Sequence, residues 1–371
     1  MPGAPVFNSF TDSDVFAVDR RSRTPYVQNY NLTLQHALFK NVVVEAAYVG
    51  SQGRKLYRYR DINQPNPLVS LARPFDNGPF APSGGTFFYV NQLETTAASN
   101  YNSLQLSLGT RNLRGLTLSV NYTYSHSIDN ASDGQDYVPN ATQPDDSNRP
   151  DLERAHSNFD SRNRFVLNFT YELPAFTKRF KKLSSGWQIG GLLTLRSGNP
   201  FNVNFFDDFN GTGEFFPRPD LVGDPFAGTS GPGRFLNLSA FRVPCVLNPN
   251  GSGSAGDCLS GTQRFGTLGR NALPGPEYKN FDFSIAKITP LTEKLKLEFR
   301  AEFYNIFNHP NFGSPLVPSF AVDAGFNGID AQTGRGIGFL PLTVTPDVGI
   351  GNPFLGGGGS RNIQFAIKLV F

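Results

Sequence analysis

Residues 101–126 read YNSLQLSLGTRNLRGLTLSVNYTYSH, and apolar side chains occupy every second position on both sides of a short turn. The apolar positions are Leu104, Leu106, Leu108, Leu116, Leu118, Val120, Tyr122 and Tyr124. Ser, Gln, Thr, Asn and Gly fill the positions between them. Because successive side chains of a strand point to opposite faces, this period of two predicts two strands with one apolar and one polar face.

The same alternation recurs in nine segments of about ten residues. The segments are 26–36, 41–50, 101–111, 115–126, 162–173, 186–197, 280–289, 294–306 and 361–371. No amphipathic helix of comparable strength accompanies them, and the 38 Gly and 28 Pro residues favour many turns. The sequence therefore predicts an all-β, antiparallel fold.

Composition excludes several classes of protein. The net charge of +3 over 371 residues is small, and the basic residues are scattered along the chain. Both observations argue against nucleic-acid binding. No run of 18 apolar residues predicts a transmembrane helix. The first residues, MPGAPVFNSFTDSDVF, have neither the basic region nor the apolar core of a signal peptide.

The connections between the predicted strands alternate in length. Short ones are 37–40, 112–114, 174–185 and 290–293, and long ones are 51–100, 127–161, 198–279 and 307–360. All long connections would lie at one end of the sheet. Outer-membrane barrels have this asymmetry, with short periplasmic turns and long extracellular loops. A soluble sandwich also has alternating strands, but it has no reason to sort its loops by length.

Strand length agrees with a membrane location, since a tilted strand needs about 9–11 residues to cross the hydrocarbon. The apolar face would then meet outer-membrane lipid and the polar face a wet lumen. Aromatic residues would form two girdles: Tyr48, Tyr122, Tyr124 and Phe303 near the long loops, Tyr171 and Phe371 near the short turns. The alternative is that these rings fill a soluble core, which would require the charged parity to be buried.

The last strand, RNIQFAIKLVF, ends on an aromatic residue. It resembles the C-terminal signal strand of outer-membrane proteins, which the barrel-assembly machinery reads. That resemblance implies a signal formed by Phe365, Ile367, Leu369 and Phe371.

Three segments resemble TonB-dependent receptors of the Oar-like subgroup, whose members carry a carboxypeptidase-regulatory-like domain at the N-terminus. Residues 281–315, FDFSIAKITPLTEKLKLEFRAEFYNIFNHPNFGSP, resemble the near-terminal hairpin of those receptors. Residues 155–174 and 186–203 resemble other barrel strands. The resemblance implies a 22-stranded barrel with an internal plug that imports bulky, scarce substrates. TonB would supply the energy through a TonB box.

The sequence departs from that pattern, because it shows no signal peptide, plug, regulatory domain or TonB box. A count of nine crossings back from a periplasmic C-terminus starts the first strand outside the cell. We therefore expect a C-terminal part of a barrel, with residues 26–371 forming strands and 1–25 forming the tail of an extracellular loop. TonB would act through a missing N-terminal part. Two unpaired edges predict an open, curved sheet or a small forced barrel that forms no stable selective pore by itself.

No enzyme, cofactor or metal is expected. The four histidines, His36, His126, His156 and His309, are dispersed, and there is no G-x-S-x-G, H-E-x-x-H or Walker motif. The stretch DDFNGTGE loosely resembles a calcium loop through Asp207, Asp208 and Asn210, but it lacks the full ligand spacing. A solvated loop is the alternative.

The two cysteines, Cys245 and Cys258, flank LNPNGSGSAGD in the longest loop. In an extracellular loop they would most simply form a disulfide, and two free thiols are the alternative. Closure of so short a loop would contribute about 3 kcal/mol to local order.

The sequence predicts a binding function for the extracellular loops. It does not identify the substrate. Candidate contact residues are the rim aromatics Phe87, Phe88, Tyr89, Phe205, Phe206, Phe215 and Phe216. Aromatic rings suit sugars, peptides and siderophores alike, and they would equally pack the loops together. One hypothesis is a TonB-dependent importer, and another is a passive or structural outer-membrane barrel for adhesion or surface organisation. A secreted soluble β protein is the third.

Overall fold

The computed structural model describes residues 13–39, 41–75, 87–132, 144–175, 177, 181–205, 207–214, 217–312, 328–342 and 360–371. Nine long strands carry the fold. Numbered in chain order among all strands, they are β2 (Tyr26–Phe39), β3 (Val42–Asp61), β4 (Phe87–Leu113), β5 (Leu116–Asp129), β7 (Asn163–Glu172), β8 (Trp187–Arg196), β14 (Tyr278–Pro290), β15 (Lys296–Tyr304) and β17 (Asn362–Val370). They form one antiparallel path, β2-β3-β4-β5-β7-β8-β14-β15-β17. The predicted antiparallel all-β fold is confirmed.

Short elements complete the described chain. They are strands β1 (Ser13–Val18), β6 (Ala155–His156), β9 (Pro200–Phe201), β10 (Asp220–Leu221), β11 (Leu236–Asn237), β12 (Phe241–Arg242), β13 (Leu273–Pro274) and β16 (Phe339–Leu340), helix α1 (Lys181–Ser184), and 3₁₀ turns at Pro150–Glu153, Pro232–Arg234, Leu238–Ala240 and Ala255–Asp257. Strand β1 pairs in parallel with the start of β4, and β6 pairs with the end of β5. Within the described ranges, no helix is long and apolar enough to cross a membrane.

The strand register places the apolar positions side by side on one face. At the middle of the sheet, Leu167 pairs with Val120 on one side and Leu193 on the other. The next residue, Asn168, pairs with Ser119 and lies on the opposite face. The alternation of apolar and polar positions is thus preserved across strands, which keeps the apolar set together on one face.

Tyrosines cluster on the apolar face toward the long-loop end. The Asn102 side-chain oxygen accepts hydrogen bonds from the hydroxyls of Tyr30 at 3.1 Å and Tyr48 at 2.7 Å. The Tyr122 hydroxyl donates to Asn163 Oδ1 at 2.7 Å. Rings with an apolar body and a bonded polar tip suit a membrane–water boundary.

Residues with positive φ build the turn between β4 and β5 at the short-turn end. Between β4 and β5, Arg114 has φ 53° and Gly115 has φ 89°. A Cβ at Gly115 would lie 2.8 Å from the Glu172 carbonyl oxygen, so this turn requires glycine. The Asn112 side chain accepts from the Gly115 N–H at 3.2 Å and closes the turn.

One prediction about the loops is wrong in extent. The predicted loop 51–100 contains the last part of β3, which runs to Asp61, and the first part of β4, which begins at Phe87. The register shifts between Gly53 and Leu56, where Lys55 has φ 55°. Such a bulge interrupts the period of two, and for this reason the sequence pattern hid the strand beyond it.

The sheet is an incomplete barrel. Its end strands β2 and β17 do not pair with each other among the described residues, and both are exposed along their length. In β17, Phe365 pairs with Ala301 of β15, and its ring stacks on Phe299 at 6.3 Å. Phe365, Ile367 and Leu369 are exposed on one face, as is Phe371 beyond the strand. The expectation of an open sheet is confirmed.

Candidate functional site at the long-loop end of the sheet

Parts of two long loops fold into one compact unit with its own apolar core. We call residues 198–275 and 328–342, as far as they are described, the cap. Its core consists of Phe201, Val203, Phe205, Phe209, Leu236, Leu238, Ala240, Phe241, Val243, Leu247, Leu268, Leu273, Ile329, Leu340 and Leu342. The small pairs β9–β13, β10–β12 and β11–β16 hold these segments together. Burial of one such Leu or Phe contributes about 1.5–3 kcal/mol, so the cap is stabilised mainly by packing.

A disulfide joins Cys245 and Cys258, with the two Cα atoms 5.8 Å apart. Between them, Asp257 closes a tight turn. Its Oδ2 accepts hydrogen bonds from the backbone N–H groups of Ser252 at 2.6 Å and Gly253 at 2.9 Å. The pKa of the Asp257 carboxyl lies below its ordinary value. The hydrogen bond from the Ser252 hydroxyl is the largest cause, and the backbone N–H groups add to it. The cap edge is therefore fixed by covalent and polar bonds.

A buried ion pair connects the cap to the β5–β7 loop. The Arg218 guanidinium donates to Glu153 Oε2 at 2.8 Å and Oε1 at 2.6 Å, a two-bond fork. Both side chains are almost fully buried, with 6% and 1% exposure. Burial favours the uncharged forms of the pair. The opposite charge of the partner outweighs that effect, so the pKa of Glu153 is lowered and that of Arg218 is raised.

A second buried arginine extends this connection to the barrel wall. Arg270 donates to the backbone carbonyl and the carboxylate of Asp129, the last residue of β5. Its Nε donates to the Glu153 carbonyl at 3.0 Å. The two side chains of the Arg270–Asp129 pair are each 2% exposed. Cap, β5–β7 loop and strand end are thus joined in one network, referred to below as the ionic anchor.

Arg73 makes a separate attachment on the other side. Its Nη1 donates to the Asp61 carboxylate at 3.3 Å and to the Phe88 carbonyl at 2.6 Å, and its Nη2 donates to the Thr212 carbonyl of the cap at 3.1 Å. The inward side chains Ser125 and Ser127 at the end of β5 are buried. Their hydrogen-bond partners are Ser161, Asp160 and Ser157 of the β5–β7 loop, so this loop covers the inner face at the end of β5.

The rim aromatics predicted to contact substrate occupy different environments. Phe205 is fully buried in the cap core against Phe209, with ring centroids 4.8 Å apart. Phe88 is half-buried under the Arg73 guanidinium, 4.4 Å from its ring, and the Tyr89 hydroxyl donates to the Gly213 carbonyl at 2.8 Å. Phe206, Phe215, Phe216 and the Phe87 side chain lie outside the described residues. For Phe205, the sequence allowed either substrate contact or packing within the loops, and the structure shows packing.

The weak calcium-loop candidate is internally bonded. Asp208 accepts from the N–H groups of Thr212 at 3.0 Å and Gly213 at 2.8 Å. Asn210 Oδ1 accepts from the Thr212 hydroxyl at 2.9 Å, and Asp207 Oδ2 from the Ala255 N–H at 3.1 Å. These N–H and O–H groups direct their hydrogens at the oxygens that a cation would need. Asp207, Asp208 and Asn210 therefore shape a turn in this structure.

Two of the dispersed histidines come together. Pairing of β5 with β6 places His156 opposite Ile128, and His126 Nε2 then lies 3.1 Å from His156 Nδ1. Together with Asp160 they form a group whose possible ligand atoms all lie within 4.8 Å of one another. A separation of 30 positions between His126 and His156 hid this group from sequence reasoning, since only the strand pairing brings them together.

A model described as an outer membrane beta barrel domain matches residues 2–337 of the chain. The chain belongs to this family. The match covers most of the strands and the cap, and it places the protein in the outer membrane. No curated protein matches the sequence.

Several solved structures resemble this outer membrane β-barrel domain in fold. The ferripyoverdine receptor FpvA of Pseudomonas aeruginosa, bound to a heterologous pyoverdine, aligns over 93% of this chain and 27% of its own length, with a TM-score of 0.42 and 10% identity. The ferric-catecholate import receptor Fiu of Escherichia coli aligns over 93% and 28%, with a TM-score of 0.37 and 10% identity. The transporter YddB of Escherichia coli aligns over 78% and 29%, with a TM-score of 0.37 and 12% identity. The chain thus spans less than a third of each of these proteins.

Buried acids make attachment of the cap to the β-barrel domain sensitive to pH. Burial raises the pKa of Asp208 to about 6. Burial, and then the neighbouring Asp61 carboxylate, raises the pKa of Glu214 well above its ordinary value. Among the described residues, neither oxygen of Glu214 accepts a hydrogen bond of normal geometry. The folded cap therefore holds protons that the unfolded chain releases.

The cap should become less stable as the pH rises from about 4 through 6 and above. A carboxyl whose pKa is higher in the folded state does not change the stability of the cap at a pH below its pKa in the unfolded chain, because it is then protonated in both states. Its destabilising effect grows as pH rises toward the folded value. Glu214→Gln should therefore slow proteolysis of the cap at pH 8 and flatten its pH dependence between pH 5 and 8. Limited proteolysis of the protein in outer-membrane vesicles measures both.

Glu277→Gln is the matched control, since the Glu277 side chain is 65% exposed and pairs with Lys279 at the surface. It should leave the cleavage rate and its pH profile unchanged. Equal profiles for Glu214→Gln and the unmodified protein would contradict the assignment of this titration to Glu214.

Proposed function

We propose that the chain is part of a TonB-dependent outer-membrane receptor that binds and imports a bulky substrate. The observation that supports this most is the cap: a packed loop unit that is attached to the inner face of the strands by the ionic anchor and by Arg73. A loop unit in this position controls access from outside to the lumen. The resemblance of residues 281–315 to the near-terminal hairpin of Oar-like receptors agrees with this proposal.

The β3–β4 loop offers an apolar exposed surface near the cap for substrate contact. Leu68 and Val69 are 71% and 82% exposed, and Leu71 and Phe75 are exposed next to them. Arg73 anchors this loop in place through Asp61. We propose that this patch, rather than the buried Phe205, makes the first contact with substrate.

Comparison of solute uptake by cells with and without the gene tests the proposal, with each strain measured with and without a protonophore. Import predicts that at least one bulky solute is depleted from the medium only by cells that have both the gene and a proton gradient. Val69→Asp should slow this depletion, whereas the same change at Leu291, an exposed residue of the β14–β15 turn at the opposite end, should not.

A passive or structural barrel is the second candidate, supported by the polar inner face of the strands. It predicts that any difference between the strains is insensitive to the protonophore. A TonB box and plug encoded upstream of the same reading frame would support import, and an upstream region without them would favour the passive barrel.

A further inference from the structure

A cluster of two histidines and one aspartate lies on the outer side of the barrel domain at the long-loop end. His126 is two residues beyond Tyr124 on the same face of β5, so it lies beyond the tyrosine cluster, on the side of the long loops. His156 belongs to β6, and Asp160 follows four residues later. If tyrosines lie at the membrane–water boundary, this position is outside the bilayer. The His156 side chain is 39% exposed, so solvent reaches the cluster.

Two of the three separations within the cluster match the ligands of one metal ion, and all three ligand atoms lie within 4.8 Å of one another. His126 Nε2 and His156 Nδ1 are 3.1 Å apart, and His156 Nδ1 is 3.3 Å from Asp160 Oδ2. Zinc binds nitrogen and oxygen ligands at about 2.0–2.2 Å, so neighbouring ligand atoms of a tetrahedral shell lie about 3.3 Å from each other. Two imidazoles and one carboxylate form a donor set that suits a divalent transition metal.

Surrounding bonds hold the ligands in position. Asp160 Oδ1 accepts from the Ser127 N–H at 2.7 Å, which leaves Oδ2 turned toward the histidines. The Ser127 and Ser157 hydroxyls are 2.8 Å apart, and the Asp160 N–H donates to the Ser157 carbonyl at 2.9 Å. The His156 carbonyl accepts from Asn271 of the cap at 2.7 Å. Partners of this kind orient the metal-binding side chains in known metal sites.

Arg162 opposes a cation at this position. Its Nη2 is 3.0 Å from His126 Nε2 and its Nε is 3.3 Å from Asp160 Oδ2. The Arg162 side chain is 36% exposed, so it has room to turn away into solvent. The Arg162 contacts also define the competing explanation, in which the group is only a hydrogen-bond network that fixes the loop.

We propose that His126 Nε2, His156 Nδ1 and Asp160 Oδ2 bind a divalent transition-metal ion of the zinc type at the extracellular surface. Three protein ligands leave a coordination position for water or for an external ligand. Arg162 tunes the affinity by competing for the same carboxylate. The site does not depend on import, and it would exist equally in a passive barrel.

The test uses the whole protein isolated from outer membranes in detergent, with Co²⁺ as a spectroscopic probe and Zn²⁺ as competitor. The unmodified protein should bind one Co²⁺ that Zn²⁺ displaces. Loss of a residue that only supports a ligand weakens metal binding by about 10–100-fold. His156→Ala removes a ligand and should weaken Co²⁺ binding by more than this. His309→Ala is the control, because His309 is exposed and remote from the group, and its binding should be unchanged.

Arg162→Gln distinguishes a metal site from a hydrogen-bond network. Removal of a positive charge next to the ligands should tighten Co²⁺ binding by about tenfold or more. A hydrogen-bond network predicts no gain. No Co²⁺ binding by the unmodified protein and Arg162→Gln, or binding that His156→Ala and His126→Ala leave unchanged, would overturn the proposal. His126→Ala repeats the test at a second ligand, so the conclusion does not depend on the folding of His156→Ala alone.

Discussion

Arg218→Met should lower the free energy of unfolding of the cap by about 3 kcal/mol at neutral pH, since the buried Glu153 carboxylate loses its two-bond partner and keeps the more distant Arg270 Nε at 4.0 Å. Glu153 is 1% exposed and receives both bonds of the Arg218 fork. Asp145 would lose the same neighbour, and burial already raises the pKa of Asp145 to about 6. Proteolysis of the cap in outer-membrane vesicles over a urea series measures the change.

Arg149→Met is the matched control for this prediction. Arg149 also pairs with an acid, Asp151, but the two side chains are 59% and 69% exposed. Exposed pairs contribute about 0–1 kcal/mol, so this variant should remain close to the unmodified protein. Addition of Glu153→Leu to Arg218→Met should recover part of the loss, because it removes the buried charge that has lost its nearest partner. Equal stability of Arg218→Met and Arg149→Met would contradict a structural role for the ionic anchor.

The nine barrel strands were predictable because lipid and lumen impose opposite demands on alternate positions. Leu116, Val120 and Tyr124 on one parity of β5 contrast with the polar residues between them. A local pattern of this kind needs no knowledge of distant residues. It failed where a bulge shifted the parity, as at Lys55, and the extended ends of β3 and β4 were therefore missed.

The cap and its attachments were not predictable in the same way. Arg270 contacts Asp129 across 141 positions, and Arg218 contacts Glu153 across 65. No spacing rule connects residues so far apart. The apolar cap residues also lack a regular period, since strands of two residues carry almost no alternation. The histidine group shows the same limit, because it depends on a short strand, β6, that the sequence does not reveal.

Leu167→Arg should destabilise the barrel domain by about 2–4 kcal/mol, the cost of an arginine on the lipid face near the bilayer midplane. Leu167 lies in the middle of β7, and its cross-strand neighbours Val120 and Leu193 are apolar. Asn168→Arg places the same side chain one position later, on the exposed polar face, where the change should stay within about 0.5 kcal/mol. Urea unfolding in outer-membrane vesicles, followed by the heat-modifiable mobility of the folded protein, compares the two variants under identical conditions. The pair isolates the environment of each face, since charge, size and strand are matched. Equal losses for both would mean that the two faces meet the same medium, which a membrane-spanning sheet with a wet lumen does not allow.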